Sequence, residues 1–149
     1  MTKEQILTLG IVVGFAVVFP LFWCFVIWVI SRVGGWASLA ASYAASSEPQ
    51  GTRYTWRSMR IFPAANYNGC LNVILSPVGI YMVPSRLFRF AHKPLLLPWD
   101  CVEHVSEQRF LGRRLLVTLS AKGKRITLVL PGDAEEVLRG YSRKQLSKR

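Results

Sequence analysis

The hydrophobic rhythm of this chain changes twice. From Ile6 to Ile30 nearly every position is apolar (ILTLGIVVGFAVVFPLFWCFVIWVI), and no residue from Gln5 to Ser31 is charged. Buried helices of soluble domains rarely run this far without a charge. As a helix rising roughly 1.5 Å per residue, the segment reaches about 37 Å, which spans a hydrocarbon core of about 30 Å with some tilt. Residues 6–30 therefore predict a transmembrane helix, preceded by a short tail over 1–5. Pro20 removes one backbone donor and predicts a kink. Trp23 and Trp28 crowd the C-terminal half of the span, and Trp28 and Trp36 suit the headgroup level.

Residues 31–51 predict a linker. Gly34-Gly35 breaks the helix. Trp36, Leu39, Ala40 and Tyr43 then recur at helical spacing, which offers two readings: a short interfacial helix or an Ala/Ser-rich tether. The small residues from Ala37 to Ala45 would also suit signal cleavage. The apolar run, however, far exceeds the 7–15 residues of a signal core, and its leader has little net charge, which favours a retained anchor.

From Thr52 the period becomes two. Tyr54 and Trp56 alternate with Arg53 and Arg57, and Phe62 returns to their face. A loop is expected over Pro63–Gly69. Leu71, Val73 and Leu75 form the next apolar face, followed by a turn at Ser76-Pro77-Val78-Gly79 and a short strand over Ile80–Val83. Leu95–Leu97, held between prolines, predicts an edge strand. Trp99–Phe110 reads as an extended stretch. Leu115, Val117 and Leu119 answer Ile126, Leu128 and Leu130 across a hairpin at Ala121–Lys124. Asp133, with Glu136 three residues on, opens a helix whose apolar face is Val137, Leu138 and Tyr141. The fold class is thus mainly β: a transmembrane helix, then a small antiparallel β-barrel or sandwich of six or seven strands with a C-terminal helix over residues 52–142. A basic tail, residues 143–149, follows.

Composition sharpens this partition. Half of the 149 residues are hydrophobic (51%), against a formal net charge of +11. Lys3 and Glu4 cancel, so the whole excess lies beyond Ser31. Arg32, Arg53, Arg57 and Arg60 on the C-terminal flank, against one lysine before the span, place the C-terminal part in the cytoplasm by the positive-inside rule. Cys24 lies in the span, and Cys70 and Cys101 make no disulfide framework, although one bridge between them stays open.

The order of elements resembles the pleckstrin-homology-like superfold, and its GRAM-type variants in particular. The residues that carry the likeness are Val78-Gly79-Ile80-Tyr81-Met82, then Leu87-Phe88-Arg89-Phe90, then His92-Lys93-Pro94-Leu95-Leu96-Leu97-Pro98-Trp99. The chain is also similar to small bacterial single-span membrane proteins of unassigned role that carry an H-x-P-L-L-x-P-W stretch. The resemblance covers about residues 52–141 and implies a binding module. The first hairpin lacks the Lys-x-Arg cluster of phosphoinositide-binding members, so that specificity does not carry over, and superfold membership alone does not fix function.

Catalytic sets are poorly supported. Outside the span the histidines and cysteines are Cys70, His92, Cys101 and His104, with no C-x-x-C or H-x-x-x-H, so no metal or other cofactor is expected. Cys101 with His104 or His92 could form a nucleophile–base pair on paper, with Asp100 or Glu103 beside it, but nothing in the spacing aims them together. Phosphate-cradling glycine motifs are absent.

The basic residues are the strongest signal. Arg86, Arg89, His92 and Lys93 fall in one loop. Arg109, Arg113 and Arg114 flank a turn. Lys122, Lys124 and Arg125 sit at a hairpin, and Arg143, Lys144, Lys148 and Arg149 end the chain. They read either as a solubilising surface or as contacts to anionic lipid, at about 1 kcal/mol per residue near the surface. Gly10 and Gly14 form a G-x-x-x-G match suited to helix association.

The leading expectation is a non-enzymatic, single-pass membrane protein. Its cytoplasmic domain would bind anionic lipid headgroups or protein partners, as an accessory subunit of a membrane complex. The binding residues would be Arg86, Arg89, Lys93, Arg113, Arg114, Lys122, Lys124 and Arg125. A cysteine-dependent hydrolase or transferase and a purely structural subunit are the alternatives, and nucleic acid is disfavoured.

Overall fold

The computed structural model describes residues 1–146. Helix α1 (Lys3–Val33) starts at a capping box. The Gln5 N–H donates to the Thr2 hydroxyl at 3.3 Å, and the Thr2 N–H donates to the Gln5 side chain at 2.9 Å. The helix is assigned without a break through Pro20. It is long and apolar enough to cross a membrane, and among the described residues it alone passes that test.

Gly34 ends the helix, and Gly35, at φ +87°, turns the chain in a conformation that favours glycine. A methyl group on Gly34 would lie 2.8 Å from Ala65 Cβ, so this elbow presses against the sheet. Helix α2 (Trp36–Tyr43) follows. Here the structure corrects the linker reading. Trp36 and Leu39 are fully buried in the β core, so the apolar face of α2 serves the sheet rather than a membrane interface. Ala44 bridges Leu95, and the Ala45 N–H donates to the Pro94 carbonyl at 2.8 Å. The expected tether is therefore stitched into the fold.

Seven strands form one antiparallel, curled sheet, a half-barrel: β1 (Thr52–Phe62), β2 (Ala65–Ser76), β3 (Gly79–Pro84), β4 (Leu95–Pro98), β5 (Val102–Gln108), β6 (Arg114–Ala121) and β7 (Lys124–Pro131). Their order is β4-β3-β2-β1-β7-β6-β5. The alternating positions of β2, β6 and β7 point inward as their period predicts: Leu71, Val73 and Leu75; Leu115, Val117 and Leu119; Ile126, Leu128 and Leu130. Helix α3 (Ala134–Leu146) sets Ala134 and Leu138 into this core. Trp99 fastens it: the ring lies 5.4 Å from that of Tyr141, while its indole N–H donates to the Ser76 carbonyl at 2.9 Å.

Two local expectations fail for physical reasons. In β1, three steps from Tyr54 to Arg57 face two steps on β2, from Val73 to Leu71. This bulge reverses the parity of the strand. Trp56, at φ +55°, turns outward and is 71% exposed, and Met59 and Ile61 take the core positions while Phe62 faces out. The expected loop over Pro63–Gly69 is instead a tight turn at Pro63-Ala64, after a cis Phe62–Pro63 peptide, and β2 begins at Ala65. The extended stretch from Trp99 also opens with a 3-10 turn over Trp99–Cys101 before β5.

Candidate functional site: a cationic cleft at the foot of the long helix

Pairing register decides where each connection emerges. Phe62 pairs with Arg125, Ala121 with Lys124, and Pro84 with Leu71. The β1–β2, β3–β4 and β6–β7 connections therefore leave the sheet at one end, the end that meets the α1–α2 elbow. The β2–β3, β5–β6 and β7–α3 connections leave at the other.

At the elbow end the β3–β4 loop is fixed to both helices. The Ser31 hydroxyl, on the last turn of α1 and 1% exposed, donates to the Ala91 carbonyl at 2.7 Å. The Trp36 indole N–H donates to the Lys93 carbonyl at 2.9 Å. Between these lies His92, which is buried. Its Nδ1–H donates to the Phe90 carbonyl at 2.9 Å, and its Nε2 accepts from the Tyr67 hydroxyl at 3.2 Å. That arrangement suits a neutral imidazole. Burial lowers the His92 pKa, against a smaller upward pull from the Phe90 carbonyl. The rings of Trp36 and Tyr67 lie 5.3 Å and 5.7 Å from the imidazole. Burial also pushes the Tyr67 hydroxyl well up, so it stays a donor.

This scaffold frames an open cleft of about 660 Å³. Trp28 and Arg32 come from α1, and Arg89, Ala91, His92 and Lys93 from the β3–β4 loop. Three alanines of α2, Ala37, Ala40 and Ala41, leave the space unfilled. The Arg32 guanidinium lies 5.5 Å from the Trp28 ring centre, a cation–π contact that aims it beside the helix. Among the described residues three cations and no carboxylate line the cleft, so its chemistry favours an anion with several acceptor oxygens, such as a phosphate.

The residues singled out in the sequence divide accordingly. Arg89 and Lys93 line the cleft, and Arg86 lies on the same loop. Lys122, Lys124 and Arg125 belong to the β6–β7 hairpin at the same end; a methyl group on Gly35 would come within 3.1 Å of Lys124 Nζ. Arg113 and Arg114 are at the far end. Arg113 is also engaged there, pairing with Glu107 at 3.1 Å and with Glu135, which Arg139 holds as well. Arg109 and then Arg113 hold the Glu107 carboxyl below the usual carboxylate range, and Arg139 and then Arg113 do the same for Glu135. His92 does not join the basic set, because it is buried and satisfied. Arg32, which sequence reasoning used only for orientation, is the residue missed; its place directly after an uncharged span was the available signal. Gly10 and Gly14 have open space around them on α1. Arg143 lies on α3, the side chain of Lys144 is not described, and Lys148 and Arg149 lie outside the described residues.

The nucleophile candidates are not assembled. The Cys101 thiol accepts a hydrogen bond from Tyr43 that favours its thiolate, but burial outweighs it and pushes the thiol pKa up. His92 is bound as above, and His104 is exposed on β5. Cys24, Cys70 and Cys101 are all free thiols. Among the described residues no three His, Cys, Asp or Glu side chains gather where a metal could be held. Comparison of the chain with protein-family models, curated proteins and solved structures finds no match.

Proposed function

We propose that this chain is a non-enzymatic, single-span membrane protein whose β half-barrel, of the pleckstrin-homology-like and GRAM-like type, stands at the cytoplasmic surface and holds anionic lipid headgroups. The element order supports the fold reading: a curled antiparallel sheet is followed by a helix packed across its core. One observation carries the function. The cationic cleft is built partly from α1 itself, through Trp28 and Arg32, so its mouth lies where an apolar helix would leave the hydrocarbon. A phospholipid phosphate beside that helix would meet Arg32, Arg89 and Lys93 without any movement of the domain.

Three engaged cations at about 1 kcal/mol each give about 3 kcal/mol, on the order of 100-fold in preference for an anionic headgroup. The full chain in mild detergent, mixed with phosphatidylglycerol and phosphatidylcholine, should retain the former when analysed by native mass spectrometry. The combined variant Arg32→Gln, Arg89→Gln, Lys93→Gln should lose that preference. Arg113→Gln with Arg114→Gln should keep it. Equal retention of both lipids by the wild-type chain, or an unchanged preference in the triple variant, would reject the reading.

A further inference from the structure

The β3–β4 loop does more than border the cleft, for it climbs along α1 away from the elbow. The Trp23 indole N–H donates to the Leu87 carbonyl at 3.1 Å, and the Trp23 ring lies 5.6 Å from that of Phe88. Trp23 itself continues a stack of rings up the helix, 6.3 Å from Phe19, which is 5.2 Å from Phe15. Nine residues separate Trp23 from Arg32, about 13 Å along the axis. If Arg32 lies at the phosphate level, that distance exceeds the headgroup layer, about 5–7 Å on each side of the core. Leu87 and Phe88 are then at the depth of the acyl chains.

The side chains of the loop fit that depth. Leu87 is 73% exposed and Phe90 54%, apolar surface that no described residue covers. The arginines interleaved with them, Arg86 and Arg89, have stems long enough to return their charge to the headgroups.

Much of the loop backbone is turned against the protein as well. Polar groups of irregular chain at membrane depth must be paired within the protein. Here the Phe88 N–H donates to Ser85 at 2.9 Å, the Arg89 N–H to Arg86 at 3.4 Å, and the His92 N–H to Arg89 at 3.0 Å. Trp23 occupies the Leu87 carbonyl at the apex of the turn.

We infer that the 85–91 loop is a membrane wedge, seated among the acyl chains of one leaflet against α1, with Leu87 and Phe90 facing lipid. The inference rests on the reading of α1 as a membrane span. It adds a second, hydrophobic contact beside the headgroup site, and it makes the domain a rigid extension of the helix.

A photoreactive p-benzoylphenylalanine placed singly at Leu87, Phe90, Val13 or Leu111 tests it on the full chain, reconstituted in phosphatidylcholine–phosphatidylglycerol vesicles. Val13 reports the span, and Leu111 the exposed tip at the opposite end of the sheet. Lipid adducts are expected at 87 and 90 as at 13, with none at 111. Adducts at 13 but not at 87 and 90 would overturn the wedge and leave the span intact. Chain-to-chain adducts at 87 and 90 would overturn it in favour of a second copy on that surface. No lipid adduct at 13 would remove the span, and the wedge with it.

Discussion

His92 shows how much of this structure depends on a single uncharged ring. Both nitrogens are committed, one to a carbonyl that accepts and one to a hydroxyl that donates. A second proton on Nε2 would face the Tyr67 O–H and sit beside Arg32, Arg89 and Lys93 around the same cleft. Burial, against a smaller upward pull from the Phe90 carbonyl, holds the native pKa below the ordinary 6.5. The unfolded chain then binds more protons than the native one between those two values. Its contribution is intact above the unfolded pKa and is lost as the pH falls from about 6.5 toward the lower native value. The thermal midpoint of the full chain in detergent should drop on going from about pH 7.5 to about pH 5.5. The drop should be smaller in His92→Gln, which keeps an amide in place of the ring but cannot gain that charge. Equal drops in both proteins would show that His92 is not the group responsible.

At the scale of elements, α2 is where sequence and structure part most instructively. Its spacing of Trp36, Leu39, Ala40 and Tyr43 was legible, but periodicity names a face and not what the face meets. Only tertiary context shows that the β core takes it. The inward alternation of β2, β6 and β7 was legible because each strand keeps one apolar face. In β1 the same reasoning misplaced Trp56 and Phe62, since a bulge that shifts parity leaves no mark in hydrophobic order. Of the cleft, Arg89 and Lys93 could be read from their clustering. Arg32 was marked only by its place directly after the uncharged span; that it joins them depends on the elbow at Gly34-Gly35, which brings the end of α1 against the loop. Trp36 gives the test. A fully buried tryptophan whose indole also holds the Lys93 carbonyl should cost about 3–5 kcal/mol on truncation to alanine. An interfacial or tethering residue would cost under about 1 kcal/mol. Urea unfolding of Trp36→Ala in mild detergent distinguishes the two.

For the whole molecule, the register sorts charge into two ends with different fates. Around the elbow are Arg32, Arg86, Arg89, Lys93, Lys122, Lys124 and Arg125. At the far end Arg109, Arg113 and Arg139 share Glu107 and Glu135, with Arg114 beside them, so most of the charge there is matched. A soluble surface would have little reason to segregate its excess this way. An inner leaflet, with its negative potential, would draw cations to one side and feel little from neutralised pairs about 23 Å away along β6, two to three Debye lengths off. On the proposed reading the same asymmetry gives a direction: Arg32 and the cations beside it, against Lys3 alone, would place the half-barrel on the cytoplasmic side by the positive-inside rule. Arg109, with a side chain 82% exposed beside the exposed Phe110-Leu111 tip, is then the natural place for a protease to cut first. Trypsin added to sealed inside-out vesicles should cleave the chain at this tip and leave the elbow end, shielded by the bilayer, intact for longer. Added to right-side-out vesicles it should leave the half-barrel whole. Cleavage in the second case would reverse the orientation, and with it the match between the cationic end and the acidic leaflet.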